Sequence, residues 1–209
     1  CDKLGVNCIT HPDYYLYEPG QVLVESTKNA YKKYTPFYNA VLNNKVSKPI
    51  NITSFPFSMT SKKLNYIINL KEAMKKFVKP NKHILVHGGR MQAQEKLKNA
   101  LNDQYGYDSS RDFFTYKTTH LSAYIKFGCL SIREVYHAFK QKFGLKHGLI
   151  RELIWREFFA HVLYCYPEVV GKSYQQKYRS LNWSQSKINI EKWQNGMTGF
   201  PLVDACMRE

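Results

Sequence analysis

The stretch LIRELIWREFF at residues 149–159 has the periodicity of a helix, and the rest of the sequence is best understood around it. Side chains of mixed chemistry recur at i, i+3, i+4 and i+7 and therefore share one helix face: Glu152, Trp155, Arg156 and Phe159. Apolar residues between them point elsewhere and are expected to anchor the helix in a core: Leu153, Ile154 and Phe158. One interpretation is a buried indole beside an ion pair between Glu152 and Arg156. The other is a pocket wall, on which the indole stacks against a flat ligand and the charged groups bind its edge.

The composition of the chain is strongly basic and rich in aromatic residues. Lys and Arg number 31 against 16 Asp and Glu, which gives a net charge of +15. This charge favours a polyanionic partner, of which nucleic acid is the commonest, although a solvated Lys-rich surface would have the same composition. The 16 Tyr, 12 Phe and 3 Trp suit stacking on bases as well as a dense core.

The cysteines and the hydropathy pattern exclude several classes of protein. The five cysteines form neither a CxxC pair nor the spacing of a zinc site, so no metal is predicted. Their odd number, without a signal peptide, indicates a reducing compartment. No apolar run reaches the roughly 20 residues needed to cross a bilayer. We therefore expect a soluble, intracellular protein, cytoplasmic or nuclear, with no membrane partner.

Helical periodicity predominates along the chain, so the predicted fold class is mainly α. Helices are predicted at residues 61–78, 91–105, 118–127, 131–143, 149–166 and 200–209. The helix at 131–143 is expected to begin with a capping box formed by Ser131 and Glu134.

The first 56 residues are less regular. Residues 21–25 predict a short strand after a Pro-Gly turn. Thr35 and Pro36 indicate a helix start, with Thr35 as the cap and Pro36 in the first turn. Residues 43–56 have the composition of a linker, which places a predicted boundary there.

Hydroxyl side chains crowd one predicted helix start. Thr118, Thr119 and Ser122 surround free backbone N–H groups at the positive end of a helix dipole, where an anion can bind. Ordinary N-capping is the alternative. Tyr107 and Arg111 lie one turn apart just before this helix, and they fit either a ligand site or a core tyrosine beside a surface ion pair.

Four motifs together closely resemble the photolyase/cryptochrome family, in the family's order and with near-family spacing: YxxxRDF at 107–113, TTHLSAYIKFGCLSIRE at 118–134, ELIWREFF at 152–159 and MTGFPLVDACMRE at 197–209. Upstream, EPGQVL and YKKYTPF resemble the end of that family's antenna domain. The resemblance implies that residues 1–56 are the C-terminal tail of the α/β antenna domain with the interdomain linker. Residues 57–209 would then be the N-terminal half of the helical FAD-binding domain.

The resemblance also implies which residues act. Those that hold FAD would be Tyr107, Thr118, Thr119, His120, Leu121 and Ser122. Those that contact DNA or a flipped pyrimidine dimer would be Arg111, Glu152, Leu153, Ile154, Trp155, Arg156, Glu157, Phe158 and Phe159. Glu152 would hydrogen-bond the thymine edges and stabilise the dimer radical anion, and Trp155 would stack against the lesion. Trp183 would be the outer member of an electron-transfer relay.

Some positions depart from the family pattern. His120 replaces a basic Arg or Lys, and Arg151 stands where many dimer-repairing members carry Asn. The family's pattern also continues beyond the last motif, with further flavin-binding residues and the inner relay tryptophans. A fragment is therefore expected, one that binds FAD weakly or not at all by itself. An antenna chromophore, folate or deazaflavin, would belong to a preceding domain.

The function implied by the resemblance is light-driven repair of UV-induced pyrimidine dimers by electron transfer from reduced FAD. The partners would be damaged DNA and the remaining half of the photolyase, supplied within a longer protein or in trans. One alternative is a cryptochrome, a flavin photoreceptor without repair activity. The other is an inactive DNA-binding remnant of a photolyase gene.

Overall fold

The computed structural model describes residues 3, 5, 7–9, 14–50, 54, 67–79 and 81–208. Its regular structure consists of helices, so the predicted mainly α fold class is confirmed. The α-helices are α1 (Tyr34–Leu42), α2 (Leu70–Phe77), α3 (Arg90–Asp103), α4 (Tyr107–Ser110), α5 (Ser122–Lys126), α6 (Ile132–Phe143), α7 (Gly148–Cys165), α8 (Lys187–Gln194) and α9 (Pro201–Arg208). Short 3-10 helices lie at Pro167–Val169 and Gln176–Tyr178. Among the described residues, none of the helices is both long and apolar enough to span a membrane.

The strand predicted at residues 21–25 is wrong. The structure has an isolated antiparallel bridge there, between Leu23 and Ala30. The backbone N–H of Val24 donates to the carbonyl of Asn29 at 2.9 Å, which closes the chain into a turn. The apolar run Val22–Val24 suits a strand, but no neighbouring strand pairs with this segment within the described ranges, so no ladder forms.

Several helix starts differ from the sequence predictions. The cap of α1 is Lys33, with no side-chain hydrogen bond, so Thr35 is not the cap, whereas Pro36 does lie in the first turn. Helix α5 begins only at Ser122, because His120 adopts a positive φ of 52° that breaks the helical backbone. Of the helix predicted at 61–78, residues 61–66 lie outside the described residues, and residues 67–69 are not helical: α2 begins at Leu70, after the cap residue Asn69, whose side chain accepts from the Glu72 backbone N–H.

The cap of α6 is confirmed, but its capping box is wrong. The Ser131 hydroxyl accepts a hydrogen bond from the backbone N–H of Arg133 at 3.3 Å. The Glu134 carboxylate does not reach back to the cap. It accepts two hydrogen bonds from the Arg90 guanidinium of α3, at 2.6 and 2.9 Å. A long-range ion pair therefore replaces the local contact that the sequence predicts.

Helix α7 is the centre of the first of two compact units, Cys1–Pro167 and Glu168–Glu209. Helices α1, α4 and α6 pack against α7, and α3 packs against α6. The most deeply buried large side chains of this core include Phe37, Leu130, Ile132, Val135, Ile150 and Ile154. Burial of each such side chain stabilises the fold by roughly 1.5–3 kcal/mol. Because α1, α4 and α6 all pack against α7, this core is built around α7.

The second unit contains α8 and α9 and is organised by one carboxylate. Asp204 accepts hydrogen bonds from the Thr198 backbone N–H at 2.7 Å, the Thr198 hydroxyl at 2.5 Å and the Gly199 N–H at 2.9 Å. The Thr198 hydroxyl lowers the pKa of Asp204. Gly196 has a φ of 61°, and a Cβ there would lie 2.8 Å from the Asp204 carbonyl oxygen. Only glycine fits this turn without strain.

Candidate ligand site on helix α7

The charged side chains of α7 lie on different sides of the helix and contact different parts of the fold. His147 caps the helix, since its ring Nδ1 accepts from the Leu149 backbone N–H at 3.3 Å. The Arg156 side chain and the Glu152 side chain, although four residues apart, do not pair with one another. Glu152 pairs instead with Arg111 at the end of α4, and Arg156 contacts residues 14–17.

Glu152 is bound by Arg111, which lies at the end of α4. The Arg111 Nη1 donates to the Glu152 carboxylate at 2.9 Å. A second ion pair joins the same two helices, between Arg151 and Asp108. Asp108 also accepts the Gly148 backbone N–H at 2.9 Å. Two of the four charged residues in the predicted lesion-contacting set, Arg111 and Glu152, are thus brought together at one half-exposed position.

Trp155 lies in an aromatic stack. The rings of Trp155 and Tyr34 have centroids 3.5 Å apart and planes within 5°, so Tyr34 covers one face of the indole. The Phe159 ring lies 5.5 Å from the indole at an angle of 24°. Phe159 is 62% exposed, whereas the indole is partly buried against the core. An aromatic surface thus opens to solvent at this end of the stack.

Arg156 and Glu157 hold residues 14–17 against α7. The Arg156 guanidinium donates to Glu157 at 2.7 Å and to the Tyr14 carbonyl at 2.8 Å, and it lies 4.5 Å from the Tyr14 ring centroid. The other Glu157 oxygen accepts the backbone N–H groups of Leu16, at 2.8 Å, and Tyr17, at 3.2 Å. Burial raises the pKa of Glu157 to about 7, although these donors oppose the shift.

A cavity of about 380 Å³ lies beside these residues, between α5, α6 and α7. Its polar wall consists of Tyr14, Thr119, Ser122, Lys126, Glu152 and Arg156. Its remaining wall is apolar and comes from the core-facing residues of the three helices. Lys126 lies 5.6 Å from the Tyr14 ring centroid, and Lys126 and Arg156 lower the pKa of the Tyr14 hydroxyl. The cavity therefore combines two cations, one carboxylate and three hydroxyl side chains with an apolar wall.

The predicted cofactor segment at 118–122 is divided between two cavities. Leu121 and Ser122 line the cavity described above, whereas Thr118 and His120 line a second one, of about 410 Å³, on the side of α3. Thr119 lines both, and its hydroxyl accepts the backbone N–H of Leu121 at 3.3 Å.

The sixth predicted cofactor residue, Tyr107, is in α4, and burial raises the pKa of its hydroxyl. It lies one turn before Arg111, which is itself the C-cap residue of that helix. The ring of Tyr107 faces α7, where it comes 6.3 Å from the ring centroid of the capping His147. The tyrosine therefore packs at the junction of α4 and α7.

Part of the predicted DNA-contacting set is buried in this structure. The side chains of Ile154, Glu157 and Phe158 are buried, with exposed fractions of 2%, 0% and 6%. Ile154 and Phe158 pack in the core, and Glu157 binds the backbone of residues 16 and 17. Leu153 is also buried, but its side chain lines the cavity. Periodicity predicts the burial of Leu153, Ile154 and Phe158, but it does not predict that of Glu157, because the residues that cover Glu157 are far away in the sequence.

The predicted relay residue Trp183 lies in the second unit, before α8, and is 65% exposed. Trp193 is in α8 and is 52% exposed. Residues missed by the sequence analysis are Tyr14 and Lys126, which line the cavity together with Ser122. The only sequence signal for Lys126 is its position one turn after Ser122, on the same helix face. Nothing local marks Tyr14.

The cavity fits a ligand that combines an anion with a flat apolar group. Lys126 and Arg156 can bind phosphate oxygens, and Ser122 can donate a hydrogen bond to them. The apolar wall can take a ring system. FAD has both parts. Within the described ranges, no group of three or more His, Cys, Asp or Glu residues could hold a metal ion.

Comparisons with known proteins find similarity to DNA photolyases. The FAD binding domain of DNA photolyase matches residues 149–209. A deoxyribodipyrimidine photo-lyase of Alkalihalophilus pseudofirmus is 30% identical over 99% of this chain and 44% of its own length. The corresponding enzyme of Escherichia coli is 27% identical over 98% of this chain and 45% of its length. A cryptochrome DASH of Synechocystis is 32% identical over 59% of this chain and 24% of its length.

A solved structure has a similar fold. A bacterial class III photolyase from Agrobacterium tumefaciens superimposes with a TM-score of 0.73 at 27% identity. The superposition covers 94% of this chain and 42% of that protein. The chain thus spans less than half of the length of the relatives it matches.

Proposed function

We infer that this chain, which belongs to the photolyase/cryptochrome family, forms part of a deoxyribodipyrimidine photolyase that repairs UV-induced pyrimidine dimers in DNA. The observation that carries the proposal is the cavity of about 380 Å³ whose wall includes Glu152 and Arg156 of α7. On the same helix, one turn from Glu152, the aromatic stack of Trp155 reaches solvent. A phosphate-binding pocket and a base-stacking surface therefore share one helix.

FAD would be held by residues that line this cavity. When bound and reduced, it supplies the light-excited electron that splits the dimer. Lys126 and Arg156 would bind its phosphates, and the hydroxyl groups of Thr119 and Ser122 would orient them. Tyr107 would support this site from α4. The apolar walls contributed by α5, α6 and α7 would exclude water from the ring system.

The lesion would be bound by the exposed edge of α7. Glu152 would hydrogen-bond the thymine edges, and Arg111, which holds the Glu152 carboxylate at 2.9 Å, would orient it and lie close to the DNA backbone. Trp155 and Phe159 would present aromatic surface to the flipped bases, for which stacking is worth roughly 1–3 kcal/mol per base. The net charge of +15 supports an electrostatic contribution to DNA binding.

The whole activity requires more protein than this chain provides. Because the relatives are more than twice as long, we propose that the active unit also contains the remaining half of a photolyase, within one longer protein or in trans. In that unit Trp183 would be the outer member of an electron relay to FAD. Its exposed fraction of 65% is compatible with exchange of electrons with a reductant in solution.

A cryptochrome is the second candidate, because one of the relatives is a cryptochrome DASH. Both candidates require FAD, but they differ in what they do to a dimer in DNA. If illumination of the complete unit with reduced FAD converts thymine dimers to thymines, the protein is a photolyase. If the flavin responds to light while the dimers persist, the photoreceptor assignment is favoured.

Comparing FAD with riboflavin tests the cofactor site, because riboflavin lacks the diphosphate. In equilibrium dialysis of the chain together with its complementing half, FAD should bind at least about tenfold more tightly than riboflavin, since charge-assisted hydrogen bonds contribute about 1.5–3 kcal/mol each. Replacing Lys126 and Ser122 by alanine should remove most of this difference. Equal affinity for both flavins would contradict the proposed phosphate site.

A further inference from the structure

Tyr34 makes the closest aromatic contact of Trp155. Its ring lies parallel to the indole, at 3.5 Å and 5°, which is the spacing of a full face-to-face contact. Its hydroxyl donates to the Arg151 carbonyl oxygen of α7 at 3.1 Å. Burial raises the pKa of this hydroxyl, which therefore stays protonated as a donor. Tyr34 is therefore held by two contacts with α7: its ring stacks on Trp155, and its hydroxyl hydrogen-bonds to the backbone one turn earlier in that helix.

The helix that carries Tyr34 is itself fixed on α7. Tyr34 is the first residue of α1, and Phe37, one turn later, is fully buried. The Phe37 ring packs 5.5 Å from that of Phe158. The Tyr34 ring also meets Phe158 edge-on at 5.9 Å. A side chain restrained by this many contacts can hold its neighbour in a single orientation.

We propose that Tyr34 is a positioning residue for the recognition of the lesion: it fixes the plane of the Trp155 indole, so that a flipped base meets an aromatic surface of defined orientation. This inference rests on the proposed function, since it assigns Trp155 to the lesion. Tyr34 does not itself contact the base. Its ring covers an indole face, and its hydroxyl is bound to a backbone carbonyl.

The order of the indole can be measured without DNA. In a chain with Trp183 and Trp193 replaced by Phe, fluorescence reports Trp155 alone. Tyr34→Leu should raise acrylamide quenching of this fluorescence about twofold, because the variant uncovers one face of the indole. Tyr34→Phe should restore the protected value, because it keeps the ring. Tyr116→Leu, at a tyrosine that is 53% exposed on the segment between α4 and α5, is the control and should leave quenching unchanged.

The consequence for recognition is measured by binding to a DNA duplex with one thymine dimer and to the same duplex without it. Tyr34→Leu in the complete unit should weaken binding to the dimer duplex about tenfold, the loss expected for a misplaced stacking partner. Binding to undamaged DNA should stay as it is, and Tyr34→Phe should rescue the preference. An unchanged far-UV circular dichroism spectrum and an unchanged affinity for the undamaged duplex exclude a general loss of structure in the variant.

The outcomes separate the two proposals. If Trp155→Leu abolishes the preference for the dimer and Tyr34→Leu does not, Tyr34 has no positioning role and the inference fails. If quenching of Trp155 is the same in Tyr34→Leu as in the unsubstituted chain, it also fails. If the unsubstituted complete unit shows no preference for the dimer, the proposed function fails, whatever the quenching result.

Discussion

Two glutamates five residues apart on α7 occupy opposite environments. The Glu152 side chain is 42% exposed, pairs with Arg111 and borders the cavity. Glu157 is completely buried, pairs with Arg156 and binds the backbone of residues 16 and 17. The first carboxylate is available to a ligand and the second is committed to the fold. Residue type and helix position give no indication of this difference, since it depends on which segments cover each side of the helix.

The largest expected effect follows the loss of the buried carboxylate. Glu157→Leu should lower the free energy of unfolding by about 3–5 kcal/mol, because it removes the acceptor of two buried N–H groups and one of the two acceptors of the Arg156 guanidinium. Urea denaturation at pH 6 measures this loss. Glu157→Gln is the matched control and should lose less, since it retains an acceptor oxygen. A loss below about 1 kcal/mol for Glu157→Leu would show that this carboxylate does not hold residues 14–17.

The second expected effect is a dependence of stability on pH. The pKa of Glu157 rises from 4.5 to about 7 on folding, so the native state binds the proton more tightly than the unfolded chain does. The contribution of Glu157 is therefore full at low pH and is lost as pH rises through 4.5 to 7. Relative to Glu157→Gln, the unsubstituted chain should lose about 2–3 kcal/mol of stability between pH 5 and pH 8.

Paired urea titrations of the two proteins at pH 5 and pH 8 provide the test. Each protein serves as the reference for the other, so the titration of other groups cancels. A difference between the two that is constant across this range, or that grows in favour of Glu157 as pH rises, would contradict a raised pKa for this carboxyl.

A smaller effect is expected at the charged partner of Glu157. Arg156→Lys keeps the positive charge but cannot donate at once to Glu157 and to the Tyr14 carbonyl. The free energy of unfolding should fall by about 1–2 kcal/mol, in line with the loss of one charge-assisted hydrogen bond. Thermal denaturation of the variant beside the unsubstituted chain measures this. An unchanged midpoint would mean that stability does not depend on the two simultaneous hydrogen bonds of the guanidinium, to Glu157 and to the Tyr14 carbonyl.

The smallest effect on stability is expected at Glu152. Glu152→Gln removes a half-exposed ion pair with Arg111 and should change the free energy of unfolding by less than about 1 kcal/mol. Denaturation in urea with Glu157→Gln in parallel compares the two carboxylates directly. If Glu152→Gln is the more destabilising of the two, the division into a ligand carboxylate and a fold carboxylate is wrong.

The parts of the fold that the sequence predicts well are those with long periodic patterns. The helix predicted at 149–166 is observed at Gly148–Cys165, and the one predicted at 131–143 is observed at Ile132–Phe143. In both, one apolar stripe repeats over several turns, and local spacing is enough. For α5 the sequence predicts a start at residue 118, because nothing local indicates that His120 adopts a positive φ.

The parts of the site that the sequence does not predict depend on distant partners. The donors to Glu157 lie 141 and 140 positions before it, at Leu16 and Tyr17. The partner of Glu152 is Arg111 of α4, not the arginine four residues further along α7. Local spacing offers Arg156 as a partner for Glu152 and indicates no partner for Glu157. Tertiary packing decides which carboxylate pairs with which cation, and a single sequence holds no direct record of it.

The most direct test of the central claim, that the exposed edge of α7 binds the lesion, is a comparison of binding affinities. A fluorescent duplex with a thymine dimer and the same duplex without it are titrated at one salt concentration against the complete unit, unsubstituted and with Glu152→Gln or Trp155→Leu. We predict that each substitution reduces the preference for the dimer by about tenfold while affinity for undamaged DNA stays the same. An undiminished preference in both variants would contradict the account.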